Sequence, residues 1–155
     1  MKRVPGLLLV LGGLVVAGCD QLEQLEDNKV DTGYDRASVA QFRIEQGQSL
    51  YAKNCAACHG SDAQASSDWR KRDTNGNYPP PPLDGTAHTW HHPKTALIYT
   101  IKNGTKAIGG SMPAWKDTLS DEEIESIILW LQSKWPEQIY QAWVKRDKES
   151  IKRKK

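Results

Sequence analysis

The 155-residue sequence contains one phenylalanine, three cysteines and two methionines, one of them Met1. It has no alternating apolar pattern that would mark half-buried strands, and no internal repeat. Its longest apolar run, Val4 to Val16, is too short to cross a bilayer comfortably, which excludes a polytopic membrane protein. A basic excess is also missing from most of the chain. Cys19 to Val144 carries twelve basic and seventeen acidic residues, so the formal charge of +2 is concentrated at the two ends. With an acidic body, a single Phe and no stripe of interleaved basic and aromatic residues, no nucleic-acid partner is expected.

What is present begins at the amino end. Lys2 and Arg3 precede the apolar run, and Ala17 and Gly18 stand directly before Cys19. A positive flank, an apolar stretch and a small-residue cleavage site form an export signal. The sequence VAGC is similar to the lipobox of bacterial lipoproteins, which implies removal of residues 1–18 and lipidation of Cys19. The remaining 137 residues hold 19 basic and 19 acidic side chains and are neutral. Residues 19–37 are polar, with too few apolar positions for a core, and read as an acidic tether.

Residues 38–135 carry the periodic segments. Ser38 and Gln41 form a capping-box pattern, and Ala40, Ile44, Gly47 and Tyr51 recur at helical spacing, giving a first helix near 38–54. From Gly60 to Trp90 the chain is rich in Gly, Asn and Asp and holds four consecutive prolines, Pro79 to Pro82, so a long wrapping loop is expected. Pro93 suits the first position of a short second helix bearing Leu97, Ile98 and Ile101, with a stop at Gly104. Ser120 and Glu123 form a further capping box before a helix whose face is Ile124, Ile127, Ile128, Leu131 and Trp135. Residues 136–155 read as a helical extension through Ile139 and Trp143 that runs into a basic tail.

Directly after the first helix stands Cys55-Ala56-Ala57-Cys58-His59, the CxxCH spacing of c-type haem attachment. Two thiols on one helical turn can each add to a vinyl group of the porphyrin, and the next residue presents an imidazole to the iron. A thioredoxin-like CxxC needs a strand before it, and a zinc ribbon needs a second thiol pair; neither is present. The expected cofactor is therefore one covalently attached haem c per chain.

For the opposite face of the iron, Met112 is the only methionine left after removal of the signal, and Gly109 to Pro113 places it in a turn-rich loop. A thioether suits haem iron and raises its potential. His88, His91 and His92 compete for the same position. Beside Trp90 and before Pro93, His88 and His91 are also candidates for a hydrogen bond to a haem propionate, and the three histidines are candidates for a separate metal site.

The segments GxxLY before CAACHG, PPLDG, SMPAW and LSDEEI together resemble class I c-type cytochromes, specifically bacterial mono-haem lipoprotein members, over residues 38–135. The resemblance implies an all-α, cytochrome c-like fold of three to four helices with long loops wrapped around the haem. It implies that the first and last helices of the domain cross, setting Gly47 and Tyr51 against Ile127, Ile128 and Leu131. It also implies a proline carbonyl that accepts a hydrogen bond from the proximal His59, with Pro82 as the matching position.

With both axial positions filled by protein, the expected work is single-electron transfer between redox proteins rather than catalysis. An open or histidine-filled sixth position would instead fit a peroxidase, a sensor or a copper-handling protein. Asp20 after Cys19 resembles an inner-membrane retention signal, which implies an exported chain anchored on the periplasmic face of that membrane. The 145–155 tail, with seven basic and two acidic residues, is expected to meet anionic lipid or an acidic partner, or to stand solvated. Trp69 with Arg70, Lys71 and Arg72 is a second docking candidate, with a solvated loop as its alternative.

Overall fold

The computed structural model describes residues 41–74 and 76–153, and among them only helices, turns and loops occur. Five α-helices follow in order: α1 (Gln41–Asn54), α2 (Ala56–His59), α3 (Lys94–Asn103), α4 (Asp121–Lys134) and α5 (Glu137–Lys152). Short 3-10 turns occur at Thr89–His91 and Lys106–Ile108. The all-α expectation holds, with α2 a single turn and α5 a full helix of 16 residues beyond the expected core of the domain. The signal at 1–18, Cys19, the tether and the Ser38 capping box lie outside the described residues.

Each helix boundary has a local cause. At α4 the Ser120 hydroxyl accepts from Glu123 N–H while the Glu123 carboxylate accepts from Ser120 N–H, so the capping box forms in full. Asp121, Glu122 and Glu123 add negative charge to the first turn, where the helix dipole favours it. Pro93 and Pro136 stand in extended backbone immediately before α3 and α5, one position earlier than a first helical residue. Gly104 ends α3 at φ 67°.

The main core forms where α1 crosses α4. A Cβ on Gly47 would lie 1.9 Å from Ser126 O, so only glycine permits this approach. The crossing buries Tyr51, Ile124, Ile127, Ile128, Trp130 and Leu131, with the rings of Tyr51 and Trp130 4.4 Å apart. Trp130 and Ser126 were not on the expected apolar face, yet both are buried. Close backbone contact at Gly47 brings the Ser126 hydroxyl to 2.9 Å from Glu122 O and 3.1 Å from Gln46 Oε1, which satisfies its polarity.

A second cluster, Trp135, Tyr140, Trp143 and Val144, docks α5 on the turn at Thr89–His91, with Trp90 packed against it. Trp143 Nε1 donates to His92 O at 2.9 Å. Asp147, only 2% exposed, accepts from Lys94 N–H at 2.7 Å through Oδ1. Up to Lys152 the tail is helix, with Lys145, Arg146, Lys148 and Lys152 exposed to solvent. No helix among the described residues is long and apolar enough to cross a membrane.

Candidate functional site

The CxxCH segment continues the path of α1. Cys55 N–H still donates to Tyr51 O at 2.8 Å, and His59 N–H reaches Cys55 O at 3.0 Å, so both thiols and the imidazole stand on one helical turn. Both cysteines are free, Cys55 partly buried and Cys58 exposed. Burial, with Cys58 nearby, pushes the Cys55 thiol up to about 11, which keeps it protonated. Buried Tyr51 donates its phenol O–H to Gly60 O at 2.8 Å and fixes the far end of the turn; burial also pushes the phenol above its usual range.

His59 Nδ1 lies 3.0 Å from Pro81 O. A carbonyl oxygen only accepts, so Nδ1 carries the proton and Nε2 keeps its lone pair. Burial lowers the pKa of His59, opposed by the Pro81 hydrogen bond, and the ring is held in the neutral form that ligates a metal. The sequence expectation of Pro82 in this role is corrected by one residue. Prolines lack N–H groups, so the first donor after the run is Leu83 N–H, and its bond to Ala63 O at 2.7 Å sets the register. That register turns Pro81 O toward His59 and Pro82 O toward Thr89 Oγ1 at 3.3 Å.

The segment after His59 is tightly turned. Ala65 N–H returns to His59 O at 2.8 Å, and Ala63 and Ala65 hold φ of 63° and 51°, a region that side chains disfavour. Ala63 is fully buried. Trp135 Nε1 donates to Leu83 O at 2.8 Å, fastening the other side of the loop to the end of α4.

Met112 is partly buried and fastened by its backbone to one residue, Thr105. Met112 N–H donates to Thr105 Oγ1 at 3.1 Å, and Thr105 N–H donates to Met112 O at 3.0 Å. Gly104 lies beneath, where a Cβ would fall 2.5 Å from Met112 O. Neither Thr105 nor Gly104 carried a sequence signal beyond the glycine stop, because a clasp across seven residues of irregular chain has no period.

The histidines sit at the junction of the loop with α3. His88, His91 and His92 are exposed. The His91 ring stands edge-on to Trp90 at 4.0 Å, and the His88 ring lies 5.8 Å from both His92 and Trp69. Among the described residues no group of three or more His, Cys, Asp or Glu is arranged to hold a metal ion, so the three histidines do not assemble the separate metal site.

The residues fit a covalently held porphyrin on two grounds. The donor set is right: two free thiols on one turn, followed by a neutral imidazole with its Nε2 lone pair unused. The wall is right as well. Leu83, Leu97, Ile98, Ile101 and Trp115 pack on the same cluster as Cys55 but stay only partly buried, an apolar surface without a full cover. No residue of α3 is buried, although its inner face is Leu97, Ile98 and Ile101.

Known proteins agree with this chemistry. Residues 42–131 match the family described as cytochrome C oxidase, cbb3-type, subunit III. The cbb3-type cytochrome c oxidase subunit CcoP of Azospirillum sp. (strain B510) is 30% identical over 114 residues, 74% of this chain and 36% of that protein. CcoP of Azospirillum brasilense is 35% identical over 99 residues, 64% of this chain and 31% of its own length. Cytochrome c6 of Cladophora glomerata is 31% identical over 86 residues, 54% of this chain and 80% of that protein. The chain thus spans about a third of the length of these oxidase subunits. No solved structure matches it. Since the family match runs through α1, the CxxCH turn, the Met112 loop and most of α4, the chain belongs to the class I c-type cytochromes, whose cofactor is haem c.

Proposed function

We propose that this protein is a lipid-anchored carrier of single electrons, with one haem c bound through Cys55 and Cys58 and ligated by His59 and Met112. The observation that carries the reading is the His59 Nδ1 bond to Pro81 O, which leaves Nε2 with its lone pair at the end of a turn that holds two free thiols. When bound, haem c supplies reversible one-electron exchange at iron.

The chain's own residues supply the rest. Pro81 O fixes the ring plane and tautomer of His59 and raises its basicity. Thr105 holds the Met112 backbone at both polar groups, so the thioether is offered from a constrained loop. Leu83, Leu97, Ile98, Ile101 and Trp115 exclude water from the cofactor faces. With His59 and Met112 both offered to it, a bound haem would keep no vacant position for a substrate, which favours transfer over catalysis.

Cys19 would hold the domain at the periplasmic face of the inner membrane. Lys145, Lys148 and Lys152, exposed on the side of α5 away from buried Trp143, suit anionic headgroups as a second attachment. His88, Trp90 and His91 remain candidates for contact with a haem propionate. Because the CcoP relatives are named as oxidase subunits, a membrane-bound redox complex is the proposed partner class.

Ferric and ferrous spectra of the haem-matured protein beside Met112→Ala test the ligand set. A thioether–iron charge-transfer band present in the parent and lost in the variant is the expected result. Covalent haem without that band, unchanged by the substitution, overturns Met112 as ligand and returns the sixth position to His88, His91, His92 or an open site.

A further inference from the structure

The loop between His59 and Pro81 carries a structured cationic turn that the haem chemistry does not use. Arg70 Cζ lies 4.7 Å over the Trp69 ring, and Arg72 Cζ lies 4.2 Å over the ring of Tyr78, itself 55% exposed. Arg72 Nη1 also donates to Gly76 O. The turn beneath is closed by Asp73 N–H to Asn77 O at 2.8 Å, Gly76 N–H to Asp73 O at 3.0 Å and Asn77 N–H to Asp73 Oδ1 at 2.8 Å. Two guanidinium groups are thus presented by a braced turn instead of by freely rotating side chains. Neither has a carboxylate partner within the described residues, whereas Lys71 pairs with Asp68 at 2.9 Å.

Its position relative to the haem ligand follows from the chain. Pro81 is the third residue after Tyr78, and extended proline-rich backbone rises about 3.1 Å per residue, so the two Cα atoms lie within roughly 10 Å. Pro81 O is in turn 3.0 Å from His59 Nδ1. A protein docked on Arg72 and Tyr78 would stand close to the histidine side of the haem.

We infer that Arg70, Arg72 and Tyr78 form a docking surface for the acidic face of a redox partner protein, through which an electron is exchanged on the His59 side. The inference rests on the carrier reading above. A guanidinium held over a ring face keeps N–H donors at its edge for a carboxylate, and Arg72 keeps those that are not spent on Gly76 O. Asp68 and Asp73 flank the cations and are exposed. A continuous anionic lipid surface would repel both, whereas a patterned set of carboxylates can avoid them. Residues 38–135 carry ten basic and ten acidic side chains, so this turn is a local concentration of positive charge on a neutral domain, and it orients an encounter.

The test uses haem-loaded full-length protein and flavodoxin hydroquinone, an acidic protein that gives up one electron from its flavin to reduce the ferric iron. Second-order reduction rates are compared for the parent, R70Q/K71Q/R72Q and the charge-matched K145Q/K148Q/K152Q, with binding to phosphatidylglycerol vesicles measured in parallel. We expect the loop variant to lose at least about fivefold in rate at low salt and much of its salt dependence, with spectrum and potential unchanged. Equal rates in parent and loop variant overturn the inference, as does an equal or larger loss in the α5 variant. An unchanged rate with lost vesicle binding assigns the turn to lipid instead. A parent that flavodoxin does not reduce at all, despite a normal ferric spectrum, sinks the carrier reading itself.

Discussion

Asp147 on α5 caps α3: its Oδ1 accepts from Lys94 N–H at 2.7 Å across 53 residues of sequence. Helix N-termini leave their first N–H groups without partners, and Pro93, standing where a capping side chain would, has none to offer. The carboxylate also meets the positive end of the α3 dipole.

Replacing Asp147 by alanine should therefore cost about 1–3 kcal/mol. Asn, which keeps an acceptor oxygen, should cost less. Denaturant unfolding of the holoprotein measures both, and equal losses would show that the acceptor is not what matters.

Gly47→Ala should be more damaging than its size implies. With Ser126 O 1.9 Å from the new methyl carbon, α1 and α4 must separate along their length. A loss of at least about 2 kcal/mol is expected. A melting curve unchanged from the parent would mean that the crossing yields without cost.

Thr105 should control how firmly Met112 is held. Thr105→Val removes the hydroxyl that accepts from Met112 N–H and keeps the shape; Thr105→Ser restores it. The weakened hydrogen bond, worth about 0.5–1.5 kcal/mol, should bring loss of the charge-transfer band at a lower pH in the valine variant, with serine close to the parent. A spectrophotometric pH titration reads this directly, and identical titrations in all three proteins would count against the clasp.

Acidification should weaken the junction between α5 and the start of α3. Burial, then His88, His91 and Arg146, hold His92 below its ordinary value of about 6.5. His88 and His91 belong to its own segment and Arg146 to α5. The unfolded chain therefore binds the proton more readily, and stability is full above about pH 6.5 and falls as pH drops through the folded-state value. His92→Gln should flatten that dependence. Denaturant midpoints at pH 7.5 and 5 for both proteins check it, and parallel slopes would remove His92 as the source.

The sequence made the chemistry of this protein legible because CxxCH and the Ser120–Glu123 box are local: each is specified within a few residues of itself. The apolar period of α4 was readable for the same reason. The proline run was not, since four identical residues carry no register, and Pro81 rather than Pro82 faces His59 only because Leu83 N–H finds Ala63 O. Thr105 and Asp147 were invisible because their partners are set by how segments pack. The charge pattern around Asp147 suggests a solvated end, yet this one carboxylate is buried.

Pro79 to Pro82 also means that, for four residues beside the His59 imidazole, the backbone has no amide hydrogen. Such a stretch cannot donate to the edge of another chain's sheet, nor complete a ladder with a copy of itself. Before its cofactor arrives, the protein exposes apolar surface on this side. The prolines act there as a guard against aggregation, so an unmatured chain can wait for haem without being drawn into intermolecular sheets along that segment.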